Sequence, residues 1–393
     1  MIAITNARIV SPSGGGAPLE NATLLVDGPR IAEIHPDTRA PAGLPPGAAV
    51  TEAPGLTVLP GFLDVHIHGG GGVDTMDATP DALRALCRTH ARHGTTGLLA
   101  TTMTQSRERI TRAIANARHA WESGADFCPD GARVLGIHVE GPYISPERPG
   151  AQPVAFVRDY DEAEFAGWRE AANGAMKLMT VAPERPGAEA LFAAARAVGI
   201  GLTLGHTDAD AVETARALDW GATHATHLFN AMPSIHHRKP GPIPVLLTDP
   251  RVRVEVIADG HHVAPEVIRM ILAVKGADRV ILVTDAMAGA GAGEGIYDLG
   301  GNRVTVRNGR ATLDDGTLAG SVLTMDRAAA NVRAWAGLDW NAVARITSTN
   351  AADEMGWTHK GRLAPGADAD FVLVDDDLTV HATYVAGRCV YRR

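Results

Sequence analysis

Six side chains in the 393-residue sequence have types suited to holding a cation and moving a proton: His66, His68, Glu140, His206, His227 and Asp285. His66 and His68 form a His-x-His pair within LDVHIH. In a strand, residues i and i+2 point to one side, so both imidazoles can meet a single ion. Glu140 closes RVLGIHVE and is followed at once by Gly141-Pro142, where a strand breaks into a loop. His206 and His227 stand where apolar runs stop, and neutral imidazole is a good ligand for Zn, Fe and similar cations. Asp285 follows the apolar approach VILVT, which suits a proton carrier. A cation brings the pKa of a water toward about 7 and polarises a carbonyl. The carboxylate then takes the proton and passes it to a departing amine.

Each of these residues also has a plainer reading. The His-x-His pair can be two hydrogen-bonded histidines at a strand end, and Asp285 can serve a backbone amide. His138 shares a face with Glu140 and reads as a core or supporting residue rather than a ligand. His224 competes with His227, which lies nearer the end of its run and is preferred.

The elements that must position these groups are visible as eight short apolar runs: 63–68, 97–102, 133–140, 176–183, 200–207, 222–229, 252–260 and 279–286. Helix-like stretches such as 81–93, 107–123, 188–199, 210–221 and 265–276 lie between them. Strands alternating with helices predict an α/β fold, a (β/α)8 TIM-like barrel, whose active site lies at the C-terminal ends of the strands. Polar residues at those ends, Asp259 among them, then converge on one rim from some 220 positions of chain. A doubly wound open sheet is the competing fold, but no Gly-x-Gly-x-x-Gly follows the first strand.

The ends of the chain have a different texture. ITNARIV, ATLLVDG and RIAEIH near the start, and DADFVLVDDD and HATYVAGRCVY near the finish, read as short strands, with PAGLPPGAA (41–49) as a loop. A small β-sandwich domain formed by both termini, 1–56 and 359–393, is expected to flank a barrel spanning 57–358.

The formal net charge of −9, with no block of five basic residues, makes nucleic acid and anionic membrane poor partners. No apolar stretch reaches the length of a membrane span, and the first residues lack the basic and apolar regions of a signal peptide. Three scattered cysteines suit a reducing compartment. A cytoplasmic location is the expectation.

The motifs PGFLDVHIHG, HVEGPYISPERPGAQ, GHT, ATHLFNAM, ADGHHV and VTDAMAGAG occur in that order, with LAGS at 318–321 and GRLAPGADADFVLVD near the end. On these residues the whole chain resembles the N-acetylglucosamine-6-phosphate deacetylases of the amidohydrolase superfamily. The resemblance implies a metal-dependent hydrolase that splits N-acetylglucosamine 6-phosphate into acetate and glucosamine 6-phosphate, in amino-sugar catabolism and cell-wall recycling. It implies Glu140, His206 and His227 as ligands of one cation and Asp285 as the acid/base. His66 and His68 match a second site that only some members keep, with Glu140 as the bridge, so one or two divalent ions per subunit are expected, Zn or Fe. Ala151, Gln152, Asn230, Ala231, Arg238, His262, Leu318, Ala319 and Gly320 match positions that contact the sugar phosphate. Some members carry His where this chain has Gln152. The resemblance further implies a homodimer whose partner shares the phosphate grip through the loop around Arg238. Action on N-acetylgalactosamine 6-phosphate or an acylated amino acid, and a non-catalytic barrel used for assembly, are the competing functions.

Overall fold

Eight parallel strands follow one another around the centre of the molecule in chain order, each hydrogen-bonded to the next. They run Phe62–Ile67, Thr95–Thr102, Arg133–Glu140, Met176–Val181, Gly201–Leu204, His224–Ala225, Arg253–Ile257 and Val280–Val283. The computed structural model describes residues 1–11, 16–36, 44 and 47–393. Most of the expected 41–49 loop therefore lies outside the described residues.

The strands are buried on both faces because one face packs in the barrel and the other meets helices, and buried polar side chains such as Asp64, His138 and Glu255 interrupt the apolar runs. The sequence also supplies the helix boundaries. Pro80–Ala91 starts behind Thr79, whose hydroxyl accepts the Ala82 N–H, and Pro80 stands at the first helical position. Ala211–Trp220 opens in a reciprocal Asp210–Glu213 cap and ends at Gly221, whose φ of 115° suits glycine.

The eighth strand returns to the first. The Asp285 N–H donates to His66 O at 2.9 Å, and the His68 N–H donates to Ala286 O at 2.9 Å. Beside them the Thr284 hydroxyl donates to Asp64 Oδ2 at 2.6 Å. Burial raises the Asp64 carboxyl to about 7, against the hydrogen bonds it accepts from Thr284. Sequential order with meeting ends sets aside the open doubly wound sheet, whose strand order reverses midway.

The terminal strands build a second sheet. Arg388–Arg392, Val380–Val385, Phe371–Val374, Thr57–Pro60, Ile2–Ile9, Leu19–Asp27 and Arg30–His35 lie in that order, and Ala49–Glu52 pairs in parallel with Ile2–Ile9. It holds its own core, with Phe371 stacked on Tyr384 at 4.4 Å. Thr57–Pro60 pairs with Phe371–Val374, so this sheet runs past the expected boundary at residue 56. A three-stranded antiparallel sheet, Gly295–Leu299, Asn302–Arg307 and Arg310–Thr312, follows the last barrel strand and was not legible beforehand. Among the described residues no helix is long and apolar enough to cross a membrane.

Candidate metal centre

Glu140 is the hub. It ends the third strand, is 2% exposed, and presents its two oxygens to different groups. Oε1 lies 3.2 Å from His66 Nε2, 3.2 Å from His206 Nε2 and 3.1 Å from His227 Nε2. Oε2 lies 3.2 Å from His68 Nε2 and accepts a hydrogen bond from Gln152 Nε2 at 2.5 Å. Asp285 Oδ1 stands 3.2 Å from His68 Nε2 and 3.5 Å from His66 Nε2. All six residues singled out from the sequence thus meet at one rim.

The turns that deliver them are unusual. His206, His227 and Asp285 adopt φ of 47°, 25° and 47°, a region that side chains other than glycine rarely occupy. Each lies two residues beyond its strand. Such strained positions persist only where surrounding bonds over-determine them, as they do at reactive sites.

The donor set fits a cation. His206 Nδ1 donates to Arg148 O at 3.0 Å, and His66 Nδ1 donates to Glu255 Oε2 at 2.9 Å. Both rings therefore turn a lone pair on Nε2 toward Glu140. His227 Nε2 faces His206 Nε2 at 3.1 Å, and buried His66 Nε2 has no well-aligned hydrogen-bond partner. Lone pairs converging on a carboxylate require positive charge between them, which protons or a divalent ion can supply. The charge balance agrees. Burial lowers the pKa of His68, but the hydrogen bonds to Asp285 and Glu140 win and raise it to about 9. Burial opposes ionisation of Glu140, yet His66 and His206 hold it well below the usual carboxylate range. For Asp285 burial is likewise outweighed, by His66 and His68, and its pKa falls.

His138 does not reach this space. Its Nδ1 donates to Val65 O at 3.0 Å and its Nε2 is 2.7 Å from Thr180 Oγ1. Burial pushes its pKa down to about 3, so it is a neutral core residue. His224 points to Glu255, 3.1 Å away, and leaves the centre to His227. Asp259 holds His262 instead, accepting Nδ1–H at 2.7 Å and the backbone N–H at 2.8 Å.

A cavity of about 210 Å³ opens above the centre. Ala151, Gln152, Asn230, Ala231, His262, Leu318 and Gly320 line it, together with Glu140, His206, His227, His68 and Asp285. Ala319 is fully buried behind this wall. Arg238 is exposed, away from the cavity, and donates to His237 Nε2 at 2.6 Å. Sequence reasoning passed over Met103, Leu299 and Thr317, which also line the cavity, and Asn302, which donates to Ala151 O at 2.8 Å. It also missed Glu255, fully buried mid-strand. A lone charged residue within the run VRVEVI could have flagged that one.

Comparisons with known proteins agree with this geometry. A profile of the amidohydrolase family matches residues 57–390. The N-acetylglucosamine-6-phosphate deacetylase of Bacillus subtilis (strain 168) is 42% identical over 342 residues, 86% of each chain. The N-acetylgalactosamine-6-phosphate deacetylase of Escherichia coli O157:H7 is 34% identical over 341 residues, 86% of this chain and 89% of its own. Among solved structures, a mutant N-acetyl-D-glucosamine-6-phosphate deacetylase from Mycobacterium smegmatis, in complex with N-acetyl-D-glucosamine-6-phosphate, superposes with a TM-score of 0.90. It is 36% identical, over 99% of both chains.

Proposed function

Because the chain belongs to the amidohydrolase family, we propose that it removes the acetyl group from N-acetyl-D-glucosamine 6-phosphate, giving D-glucosamine 6-phosphate and acetate. The observation that carries this reading is Glu140 with four imidazole Nε2 atoms within 3.2 Å of its oxygens, at the base of the cavity. Relatives of that activity match over most of the chain.

Glu140, His206 and His227 would hold one divalent ion, and His66 and His68 would help Glu140 hold a second, with Asp285 left free to move a proton beside them. Nitrogen and carboxylate donors of this kind suit Zn or Fe. Bound there, the metal lowers the pKa of a water and polarises the acetamide carbonyl. Asp285 takes the water's proton at Oδ1 and returns it to the amine nitrogen as the C–N bond breaks. Gln152, held by the Thr104 N–H at 2.7 Å, keeps an amide donor against Glu140. His262, fixed by Asp259, and Asn230 offer polar groups to the sugar. Ala151, Ala231, Leu318 and Gly320 shape the apolar side of the cavity, with Ala319 behind them. Arg238 is suited to phosphate by its planar fork of donors. Its exposure away from the cavity supports a homodimer in which this loop reaches the partner's site.

The E. coli relative supports a second reading, the galactosamine epimer. Acetate release from the two sugar phosphates, measured side by side with metal analysis of the purified protein, separates them. Faster turnover of the glucosamine compound is expected. Preference for the epimer would move the assignment to it. A metal-free protein inert on both would reject hydrolysis altogether.

A further inference from the structure

We propose that Glu255 is the positioning residue that makes this centre able to hold two ions, by fixing ligands of both halves with one buried carboxylate. The inference rests on the metal-dependent reading above.

Glu255 lies in the middle of the seventh barrel strand, is fully buried and does not line the cavity. Its Oε2 accepts two hydrogen bonds. One comes from His66 Nδ1 at 2.9 Å, and the other from the backbone N–H of His227 at 3.0 Å. His66 faces Asp285 beside His68 and also shares Glu140 Oε1 with His227, which stands against His206. A single oxygen therefore ties the two ligand sets together. The backbone of Glu255 adds a second tie, since its carbonyl accepts the Leu228 N–H at 2.9 Å. These two bonds flank His227, whose φ of 25° would otherwise relax.

At His66 the carboxylate selects the tautomer. With Nδ1–H committed to Glu255, Nε2 must present its lone pair toward Glu140 and Asp285. Without that acceptor the ring can carry its proton on Nε2, which removes it from the donor set. The other oxygen, Oε1, rests 3.1 Å from His224 Nε2. A group holding a metal-ligating His in this way typically changes metal affinity 10- to 100-fold when lost.

The test is Glu255→Leu, which keeps comparable size but removes both acceptor oxygens, with Glu255→Gln, which keeps one acceptor, as the conservative comparison. Metal-free parent and variants are titrated with zinc against a chromophoric chelator, and thermal unfolding of the metal-free forms is compared. We expect the parent to bind two ions. In Glu255→Leu both sites should lose affinity, the weaker by 10- to 100-fold, and Glu255→Gln should recover part of the loss. Two sites of parental affinity in Glu255→Leu would overturn the role of Glu255. A parent that binds no zinc would overturn the metal reading itself, which is a separate outcome. If the variants do not fold, nitrogen-15 spectra of the zinc-loaded parent decide. A hydrogen-bonded Nδ1–H assigned to His66, by its loss in His66→Asn, supports the proposal, and a proton on His66 Nε2 rejects it.

Discussion

The metal centre and the turn at 236–239 lie on the same rim and are held in opposite ways. In the centre, His66, His206 and His227 are each fixed by a partner at least 28 positions away in the chain, and all are nearly excluded from water. In the turn, among the described residues, Arg238 and Lys239 are held by their neighbours. The Arg238 N–H donates to His236 Nδ1 at 3.3 Å, its guanidinium to His237, and the Lys239 N–H to His236 O at 3.0 Å. Groups that must share an ion need positions fixed to a few tenths of an ångström, which only a crowded interior provides. Groups that grip a phosphate can be set by the arriving charge, and an exposed turn costs less to rearrange.

The sharpest way to break this contrast is Asp285→Asn. If proton transfer lives in the rigid half, kcat should fall by about 10²- to 10⁴-fold, with metal content and circular dichroism unchanged. Near-parental turnover would mean that the crowded cluster is structural. An intermediate effect is expected from Arg238→Ala. Losing a charge-assisted contact should lower kcat/KM for the phosphorylated sugar by about tenfold to a hundredfold, and leave the plain sugar and the unfolding temperature alone. Equal selection for phosphate before and after would show that the turn grips nothing.

The smallest effect concerns the floor beside His68. His90 donates from Nε2 to Gly69 O at 2.9 Å, and burial pushes its pKa down to about 4. The folded protein keeps this ring neutral where the unfolded chain, near 6.5, takes up a proton. Its contribution is therefore whole above pH 6.5 and is lost as pH falls toward 4, at about 1.4 kcal/mol per pH unit. His90→Gln should unfold with a shallower pH dependence between those values. An unchanged slope in urea titrations at pH 7 and pH 5 would remove His90 from the account.

The same contrast explains what the sequence made legible. A strand end is a local property, so the apolar runs that stop at His68, Glu140, His206, His227 and Asp285 could be read directly, and the structure brings all five together. Alternation also revealed the terminal strands. Glu255 escaped because its importance lies in His66, 189 positions away, and no periodicity reports a partner across a barrel. His138 was read as core or support, and its bonds to Val65 O and Thr180 make it so. The small sheet after residue 294 is not marked in the sequence because its strands are short and mix exposed, half-buried and buried positions.

Closure of the cylinder between residues 66 and 285 carries a lesson about assembly in time. Asp285 and its neighbouring imidazoles come from the last and first staves. A nascent chain released short of Val280 would own His66, His68, Glu140, His206 and His227 but neither Asp285 nor the wall that holds the first stave in place. On the proposed role of Asp285, hydrolytic competence therefore arrives only after the final stave has left the ribosome, and truncated products should be inert.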